Sequence, residues 1–426
     1  MSDRPRPEIR GALRRRPAAL GFIYAAMLMN TASMGVIIPV FPSLVKSLAG
    51  QGDAGGAQIM GVFAAAWAVM SLLAAPVWGN LSDRYGRRPI LLVSMFGLAF
   101  DYLVMALAPN IAWLFIGRVI SGVTASSQAA AGAYVADIST EENRARNFGR
   151  FQAAANAGIL LGPALGGFVG QFDSRAPFWV AAALAFANGL YGLFVVPESL
   201  ALDRRAPFKW ARANLFGSLG LLGGSAGLLG LAAVVLLAQF ANWSFNSIFQ
   251  FYTHYRFGWG PAQIAVLLIV LSGGSIVMGA FGAGWASRRF GERGAVLVGI
   301  SFWIVAFFGA GLAAKEPWFW AAMAAAILSN MGFPSLMSLM TKRVRVDQQG
   351  QLQGAMAILF GLTGLVGPIA FTNLFAWSIG PGKSLGLPGL SMISGGVLLL
   401  GAFGLAFIYA RPPPADAIIA PESSAD

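Results

Sequence analysis

Long apolar runs alternate with short polar gaps along the chain, and this alternation is the main structural signal in the sequence. A helix needs about 20 mostly apolar residues to cross the hydrocarbon core of a bilayer. The runs predict an all-α membrane protein with twelve transmembrane helices, and an even number places both termini on one side. The predicted spans are 18–44, 58–80, 90–108, 111–136, 148–170, 177–197, 227–250, 261–284, 294–314, 318–340, 352–377 and 389–410.

A repeat at an offset of 205 residues relates the first six spans to the last six. The matching pairs are Gly79 and Gly284, Ser82 and Ser287, Arg84 and Arg289, Gly86 and Gly291, Arg88 and Arg293, Gly149 and Gly354, and Gly162-Pro163 and Gly367-Pro368. Parallel repeats are typical of transporters whose substrate lies between two halves near the midplane. We predict a cytoplasmic arm at 1–17, six-helix halves at 18–197 and 227–411, a cytoplasmic linker at 198–226 and a cytoplasmic tail at 412–426.

The position of the basic residues predicts the orientation. Of 29 Lys and Arg residues, 23 lie in gaps on the side of the termini, five lie on the opposite side, and Arg118 lies inside a span. Cytoplasmic loops carry the excess of positive charge, so both termini are expected in the cytoplasm, and the protein in the bacterial inner membrane. The basic stretch 204–212 is interpreted as a solvated loop, with a lipid or partner site as the alternative. The first span is interpreted as a retained anchor because eleven spans follow it.

Composition excludes several classes of protein. Hydrophobic residues make up 57% of the chain and charged residues 11%, against about 25% charged in soluble domains. The net charge of +12 lies between membrane spans, so we expect a lipid bilayer and no nucleic acid as partner. With no Cys, one His and no phosphate-binding loop, the sequence predicts no cofactor, no metal site and no catalytic residues, and therefore no enzyme.

The gap after the second span is rich in glycine, aspartate and arginine. Its main positions are Gly79, Asp83, Arg84, Gly86, Arg87 and Arg88. One interpretation is a tight turn at Gly86 whose arginines follow the positive-inside rule. The run also resembles the signature loop of the major facilitator superfamily, which implies charge contacts across a cytoplasmic gate, with Asp137 after the fourth span included. The second-half copy has Arg288 where Asp83 would repeat.

The fifth span carries glycines on one helix face. The positions are Gly158, Gly162, Pro163, Gly166 and Gly167. Glycines four residues apart let a neighbouring backbone approach closely, and proline bends the helix. Close packing alone is one interpretation. The pattern also resembles the antiporter motif of drug-exporting members of the superfamily, which implies export by exchange.

Further stretches extend the resemblance over residues 20 to 375. They lie at 30–42, 117–122, 144–149, 256–259 and 347–354. Together they resemble the tetracycline efflux proteins, a drug:proton antiporter branch. The resemblance implies proton-coupled efflux of a small amphipathic compound or drug, tetracycline-like, by a monomer whose partners are the small-molecule substrate and protons.

The chain departs from that branch at two aspartate positions. It has Asn30 in the first span and Trp303 in the ninth. The membrane histidine of the branch has no match, because His254 lies at the outer end of the seventh span and is interpreted as an ordinary interfacial residue. A proton-coupled exporter of a sugar or other small metabolite is therefore a second hypothesis, and a non-transporting membrane sensor is a third.

Two charged residues lie deep inside spans. Asp101 and Arg118 are each eight residues from the Pro109-Asn110 turn, which places both about 12 Å from the outer end at 1.5 Å per residue. An isolated charge at that depth is costly, so a pair is expected. The pair either fixes the helix register as a static ion pair, or it couples transport to protons with Asp101 as the carrier.

Amide side chains extend the candidate site. Gln239, Asn242, Asn246 and Gln250 follow helical spacing along the seventh span. Other intramembrane amides are Asn30, Gln128, Asn156, Asn188 and Asn330. Interhelical hydrogen bonds account for some of them, whereas four amides on one helix face favour the lining of a substrate cavity.

Overall fold

The computed structural model describes residues 7–125, 127–200, 205, 217–345 and 348–411. Side chains are described from Leu20 onward, except those of 127–129, 141–142, 144–145, 217–219, 280 and 350. Most of the predicted linker, the predicted tail, residues 1–6 of the arm and the side chain of Gln128 lie outside the described residues.

The described chain is helical because a helix satisfies its own backbone N–H and C=O groups in an environment without water. Its α-helices are α1 Pro7–Ile37, α2 Phe41–Ala49, α3 Asp53–Tyr85, α4 Arg87–Leu107, α5 Ile111–Thr124, α6 Ser127–Ile138, α7 Glu141–Val169, α8 Ala176–Val195, α9 Ala226–Asn246, α10 Phe249–Phe257, α11 Pro261–Val277, α12 Ala283–Leu312, α13 Glu316–Ser329, α14 Phe333–Thr341, α15 Gln349–Ile379 and α16 Leu390–Tyr409. Short 3₁₀ turns lie at Gly217–Gly224 and Lys383–Leu385.

Ten helical segments are long and apolar enough to cross a membrane. Two shorter apolar helices, Ile111–Thr124 and Pro261–Val277, lie among them. The described residues contain no β-strand, so the all-α membrane class is confirmed for this part of the chain.

Four predicted spans are each divided into two helices. These are the first (α1 and α2), the fourth (α5 and α6), the seventh (α9 and α10) and the tenth (α13 and α14). Each of these spans therefore consists of two helices, and the first and tenth, taken across the break, are still long and apolar enough to cross a membrane. Proline explains two of the divisions, because it lacks a backbone N–H. Pro39 lies between α1 and α2, and Pro334 is in the first turn of α14.

Polar side chains bind the carbonyls at three of these helix ends. Thr124 Oγ1 donates to the carbonyl of Ile120 at 2.9 Å, and Ser247 Oγ donates to that of Trp243 at 2.6 Å. Asn330 Nδ2 donates to a carbonyl of α13 at 3.0 Å. Such side chains compete with the helical backbone bonds and favour helix ends.

The eighth and ninth spans are joined without a separate loop helix. A π-helical turn, Met278–Gly282, connects α11 to α12. Within α12, Gly291 has φ 69° and ψ 170°, so the chain turns there. Its repeat partner Gly86 also has a positive φ, 107°. Glycine adopts this conformation without steric cost, which explains glycine at both positions.

The described residues form two compact units. The first comprises Met1–Ala49, Val69–Asn214 and Pro261–Ile269, as far as these are described. The second comprises Gly50–Ala68, Leu215–Gly260 and Val270–Asp426, with the same restriction. In the second unit, Leu231, Val296, Leu339, Ala355 and Ala402 belong to one buried cluster that joins α9, α12, α14, α15 and α16.

In the first unit, the glycine face of α7 packs directly on α1. A Cβ atom added to Gly162 would lie 2.7 Å from the Cα of Gly35, and one added to Gly166 would lie 2.7 Å from the carbonyl carbon of Val36. A Cβ on Gly158 would lie 2.8 Å from the nitrogen of Ala32. These backbones are therefore in van der Waals contact, which glycine permits.

We predict that Gly162→Ala destabilises the protein, because the added methyl group must push two backbones apart. Overpacking of this kind costs about 1–3 kcal/mol. Gly149→Ala is the matched control, since Gly149 lies on the same helix with nothing within 4 Å of an added Cβ. Thermal unfolding of both variants in detergent measures the difference, and equal unfolding temperatures would contradict the direct backbone contact.

Candidate functional site

Two carboxylates converge on Arg87 at the start of α4. Nη1 of Arg87 lies 2.6 Å from Asp83 Oδ1, and Nε lies 3.1 Å from Asp137 Oδ2. Nη1 also donates to Ser82 Oγ at 3.1 Å. The Arg87 side chain is only 13% exposed, so its charge-assisted hydrogen bonds are stronger than those of surface ion pairs. Arg87 therefore ties the end of α3 to the end of α6.

The resemblance to the signature loop implied charge contacts of Asp83 across a cytoplasmic gate. A partner of Asp83 in the structure is Arg87, four residues along the chain in the same unit. Arg88 Nη2 donates to the carbonyl of Leu193, and the Arg84 guanidinium lies over the ring of the adjacent tyrosine. Gly79 lines a cavity of about 140 Å³ behind the loop.

Glu198 completes this cluster, although no sequence motif indicated it. Its two carboxylate oxygens accept hydrogen bonds from the backbone nitrogens of Arg87 at 2.9 Å and Arg88 at 3.3 Å. A carboxylate is favourable at a helix N-terminus, whose first N–H groups have no helical partner. Gly86 makes room for it, because a Cβ there would lie 2.7 Å from Glu198 Cδ. The available signal was an acidic residue directly after the sixth span, on the basic side of the protein.

The corresponding loop in the second half also contains an ion pair, but the acidic and basic residues occupy each other's positions. Glu292 Oε1 lies 2.7 Å from Lys342 Nζ and accepts from Ser338 Oγ at 2.6 Å. Positions 292 and 342 follow Arg87 and Asp137 at the same offset of 205 residues. The copy that is degenerate in sequence therefore still joins the corresponding helices, with the acid and the base exchanged.

Asp101 is completely buried in α4. Neither carboxylate oxygen has a hydrogen-bond partner among the described residues. The carboxylate lies against α5, where a Cβ added to Gly117 would be 2.8 Å from Oδ1. Arg118, the next residue along α5, is the cation whose charge acts on it, and the Ser121 hydroxyl of the same helix is a polar neighbour that does not form a hydrogen bond of good geometry with it. Asp101 and Arg118 thus lie on adjacent helices at similar depth, as the spacing around the turn predicted.

The expected direct ion pair between Asp101 and Arg118 is not formed, so that prediction was wrong for this structure. The Arg118 guanidinium lies over the ring of Phe41, 5.4 Å from its centroid. Nε of Arg118 has no hydrogen-bond partner in the part of the chain that the structure describes. A cation over an aromatic face is stabilised electrostatically, and this contact competes with the ion pair.

A cavity of about 490 Å³ lies within the second unit. Gln239 and Asn242 of α9, Ser275 of α11, Asn330 and Trp303 are among the residues that line it. Asn330 Nδ2 donates to Ser275 Oγ at 3.1 Å, across two elements of the wall. The volume is in the range of small-molecule sites. The cavity also borders the break between α13 and α14, and broken helices recur at transporter binding sites.

The four amides of the seventh span do not form one stripe, which corrects the sequence interpretation. Gln239 and Asn242 line the cavity, but α9 ends at Asn246 and Gln250 belongs to α10. Asn246 is exposed and its Nδ2 donates to the carbonyl of Asn242 at 3.1 Å.

Three other predicted cavity residues, Asn30, Asn156 and Asn188, are not among the residues that line this cavity. Asn188 is fully buried, and its Nδ2 donates to a carbonyl of α1 at 3.0 Å, so it serves interhelical packing instead of lining this cavity. Asn30 is buried in α1. Asn156 accepts from Gln152 Nε2 at 3.0 Å within α7. The side chain of Gln128 is outside the described residues.

His254 has a specific partner that its position in the sequence did not indicate. Its Nδ1 lies 3.1 Å from Oδ2 of Asp53, the first residue of α3. Asp53 and His254 are 201 positions apart, so only tertiary structure brings them together. Within the described residues, no group of three or more His, Cys, Asp and Glu side chains is arranged to hold a metal ion.

Comparison with known proteins gives concordant similarities. The model of the Major Facilitator Superfamily matches residues 23–368 and also 231–424. Tetracycline resistance protein, class C, of Escherichia coli is 34% identical over 385 residues, which cover 90% of this chain and 94% of that protein. The class G protein of Vibrio anguillarum is 33% identical, over 83% of this chain and 89% of its own length.

A solved structure supports the same fold. A bacterial homologue of the human lysosomal transporter Spinster superposes with a TM-score of 0.71 at 15% identity, over 95% of this chain and 99% of that chain. At this identity the likeness concerns the fold alone.

The two repeat-related ion pairs are expected to differ in strength. Asp137→Asn should cost about 1.5–3 kcal/mol, since it removes the negative charge that strengthens a hydrogen bond from a mostly buried guanidinium. Lys342→Gln should cost about 1 kcal/mol or less, because the Lys342 side chain is 50% exposed. Thermal unfolding of the two variants in detergent checks this order, and a larger loss for Lys342→Gln would contradict it.

Proposed function

The chain belongs to the Major Facilitator Superfamily, and from that premise we propose that it exports a small amphipathic compound or drug in exchange for protons. The tetracycline resistance proteins among its relatives support drug efflux as the activity. Drug export by exchange requires a group that gains and loses a proton inside the membrane, a cavity for the cargo and a gate.

The observation that carries the proposal is the state of Asp101. This carboxylate is completely buried, without a hydrogen bond to any described residue. A permanently ionised carboxylate without a partner is costly in an apolar interior. The arrangement therefore favours a group whose protonation changes with conformation over a static ion pair. We assign Asp101 as the carrier of the coupling proton.

Arg118 has a second role in this scheme. When Asp101 releases its proton, the carboxylate needs a nearby positive charge. Arg118 is on the adjacent helix and is held over Phe41 in the present conformation. Movement of its guanidinium from Phe41 to Asp101 would form the ion pair, and binding of the next proton to Asp101 would release it. The negative charge of Asp101 is thus neutralised alternately by a bound proton and by the guanidinium of Arg118.

The cargo site is assigned to the cavity of about 490 Å³. The amides of Gln239, Asn242 and Asn330 provide hydrogen bonds, and Trp303 provides an aromatic surface. The helix break at α13 and α14 gives this wall two segments that can reorient. Such discontinuous helices are common at the binding sites of secondary transporters.

The charge cluster around Arg87 is assigned to the cytoplasmic gate. Asp83, Asp137 and Glu198 hold the α3–α4 turn against neighbouring helices by charge-assisted hydrogen bonds. Opening and closing would break and re-form part of this cluster. The glycine contact between α1 and α7 joins these two helices as one packed pair.

The proposed membrane arrangement has twelve crossings in two six-helix halves, 18–197 and 227–411. Ten crossings correspond to the long apolar segments, and the two shorter apolar helices are extended by α6 and by the π-helical turn with the start of α12. The excess of basic residues in alternate gaps supports cytoplasmic termini in the bacterial inner membrane. We propose a monomer surrounded by lipid.

A second candidate is the export of a sugar or another small metabolite. The observation that favours it is the lining of the cavity by amides and hydroxyls, which suit hydroxyl-rich molecules as well as drugs. Screening a compound panel for efflux, in a strain that lacks its own pumps, distinguishes the two candidates.

The orientation predicts the outcome of reporter fusions. A reporter after residue 410 should be active in the cytoplasm, and one inserted near Gly52 should be active in the periplasm, because 23 of the basic residues lie on the side of the termini. Enzymatic reporters that work in one compartment only measure this directly. Either reporter on the opposite side would overturn the arrangement.

The coupling role predicts that Asp101→Asn abolishes proton movement driven by an exported compound but preserves binding of that compound. The amide keeps the shape of the side chain and cannot carry the proton. The measurement uses proteoliposomes with an internal pH dye, and an equilibrium binding assay on the same protein. Unfolding temperatures are compared in parallel to separate a loss of folding from a loss of coupling.

The double variant Asp101→Asn with Arg118→Gln separates structural and coupling roles. Replacing Asp101 alone leaves the buried Arg118 without a nearby counter-charge, which lowers stability, and replacing both residues should restore it. Coupled transport should stay lost if Asp101 carries the proton. Proton-coupled export at the wild-type rate in the double variant would exclude Asp101 as the carrier.

A further inference from the structure

The cavity of the second unit has no ionisable side chain among the described residues that line it. Its polar groups are amides and hydroxyls, and the rest of the wall is aliphatic or aromatic. A charged compound placed there would lose its hydration without gaining a counter-charge, which is costly. An uncharged compound loses much less. The cavity wall therefore favours the binding of uncharged compounds over charged ones.

Trp303 presents a fixed aromatic surface to this cavity. Its ring packs edge-to-face on Phe307, with centroids 6.0 Å apart and planes at 86°. Phe307 is buried in a cluster with Ala238, Ala306 and Leu399. One side of the indole is thus packed against Phe307, and another side faces the cavity, where a ligand ring can contact it. Aromatic rings prefer such edge-to-face or offset-stacked contacts.

Two amides of the same wall are available for a ligand. Gln239 and Asn242 are one helical turn apart on α9, and the described residues provide no hydrogen-bond partner for either side-chain amide. Each amide has donors and an acceptor. They can bind hydroxyl, amide or carbonyl groups on a compound whose ring contacts Trp303.

We propose that this cavity takes an uncharged, ring-bearing compound with amide or hydroxyl groups, and that Trp303 determines the specificity by stacking on the ring. This inference rests on the proposed function, because it assigns the class of cargo.

The test measures binding to the purified full-length protein in lipid nanodiscs by isothermal titration calorimetry. The probes are uncharged ring-bearing amides, chloramphenicol among them, each paired with a carboxylate derivative such as chloramphenicol hemisuccinate. We expect each uncharged member to bind at least about tenfold more tightly than its charged partner. Equal or tighter binding of the charged members, or the absence of saturable binding by every uncharged member, would overturn the inference.

Variants of Trp303 identify its part. Trp303→Ala should weaken binding of the uncharged probes about three- to tenfold, and Trp303→Phe should keep most of the affinity. Trp303→Lys should shift the preference toward the carboxylate derivatives by adding a cation. Trp285→Ala is the matched control, because Trp285 is on the same helix, exposed and outside the cavity. Unchanged affinity in Trp303→Ala would overturn the role of Trp303.

Failure of this inference differs from failure of the proposed function. An exported compound that carries a net charge and exchanges with protons would overturn the inference and leave the proposed function standing. Selective binding of uncharged probes without any proton movement would do the opposite.

Discussion

A membrane interior has no water to satisfy polar groups, and this constraint accounts for many of the polar contacts inside the described spans. The requirement is hardest to meet at helix ends, because the last carbonyls of a helix have no hydrogen-bond partner within it. Arg175 donates to the carbonyls of Ala106 and Ala108 after α4, and Arg256 donates to that of Ala313 after α12. The carbonyls of Ala108 and Ala313 are related by the offset of 205 residues. In both halves of the sequence an arginine thus donates to the carbonyl at this helix end, but the two arginines are not related by the repeat.

Asp101 departs from this rule, and its proposed role depends on that departure. The buried Asn188 and Ser244 also each have one side-chain oxygen without a hydrogen-bond partner among the described residues, but those groups are uncharged, so the cost is smaller. Asp101 is buried beside Gly117 with no hydrogen bond to a described residue, while Arg118 is occupied by Phe41. A structure built only for stability would pair or remove these charges. A proton carrier needs them close and separable.

The sequence predicted what depends on composition and local spacing. The helical class, the close approach at Gly162 and the adjacency of Asp101 and Arg118 follow from apolar length, glycine spacing and distance to a turn. The helix breaks were missed because the spans were predicted from long apolar runs. A single proline or hydroxyl side chain that ends a helix changes the hydropathy of such a run very little. Glu198 and the contact between Asp53 and His254 were missed because they depend on tertiary proximity of distant segments. The Asp101–Arg118 contact was overestimated because Phe41, which competes for Arg118, comes from another span.

The most direct measurement of the central claim is the protonation of Asp101 itself. Infrared difference spectroscopy on the protein in lipid, recorded when an exported compound is added, detects carboxylic acid groups that gain or lose a proton. The account predicts a change in the carboxylic acid C=O band of the wild type that is absent from Asp101→Asn. The same change in both proteins would show that the coupling proton resides elsewhere.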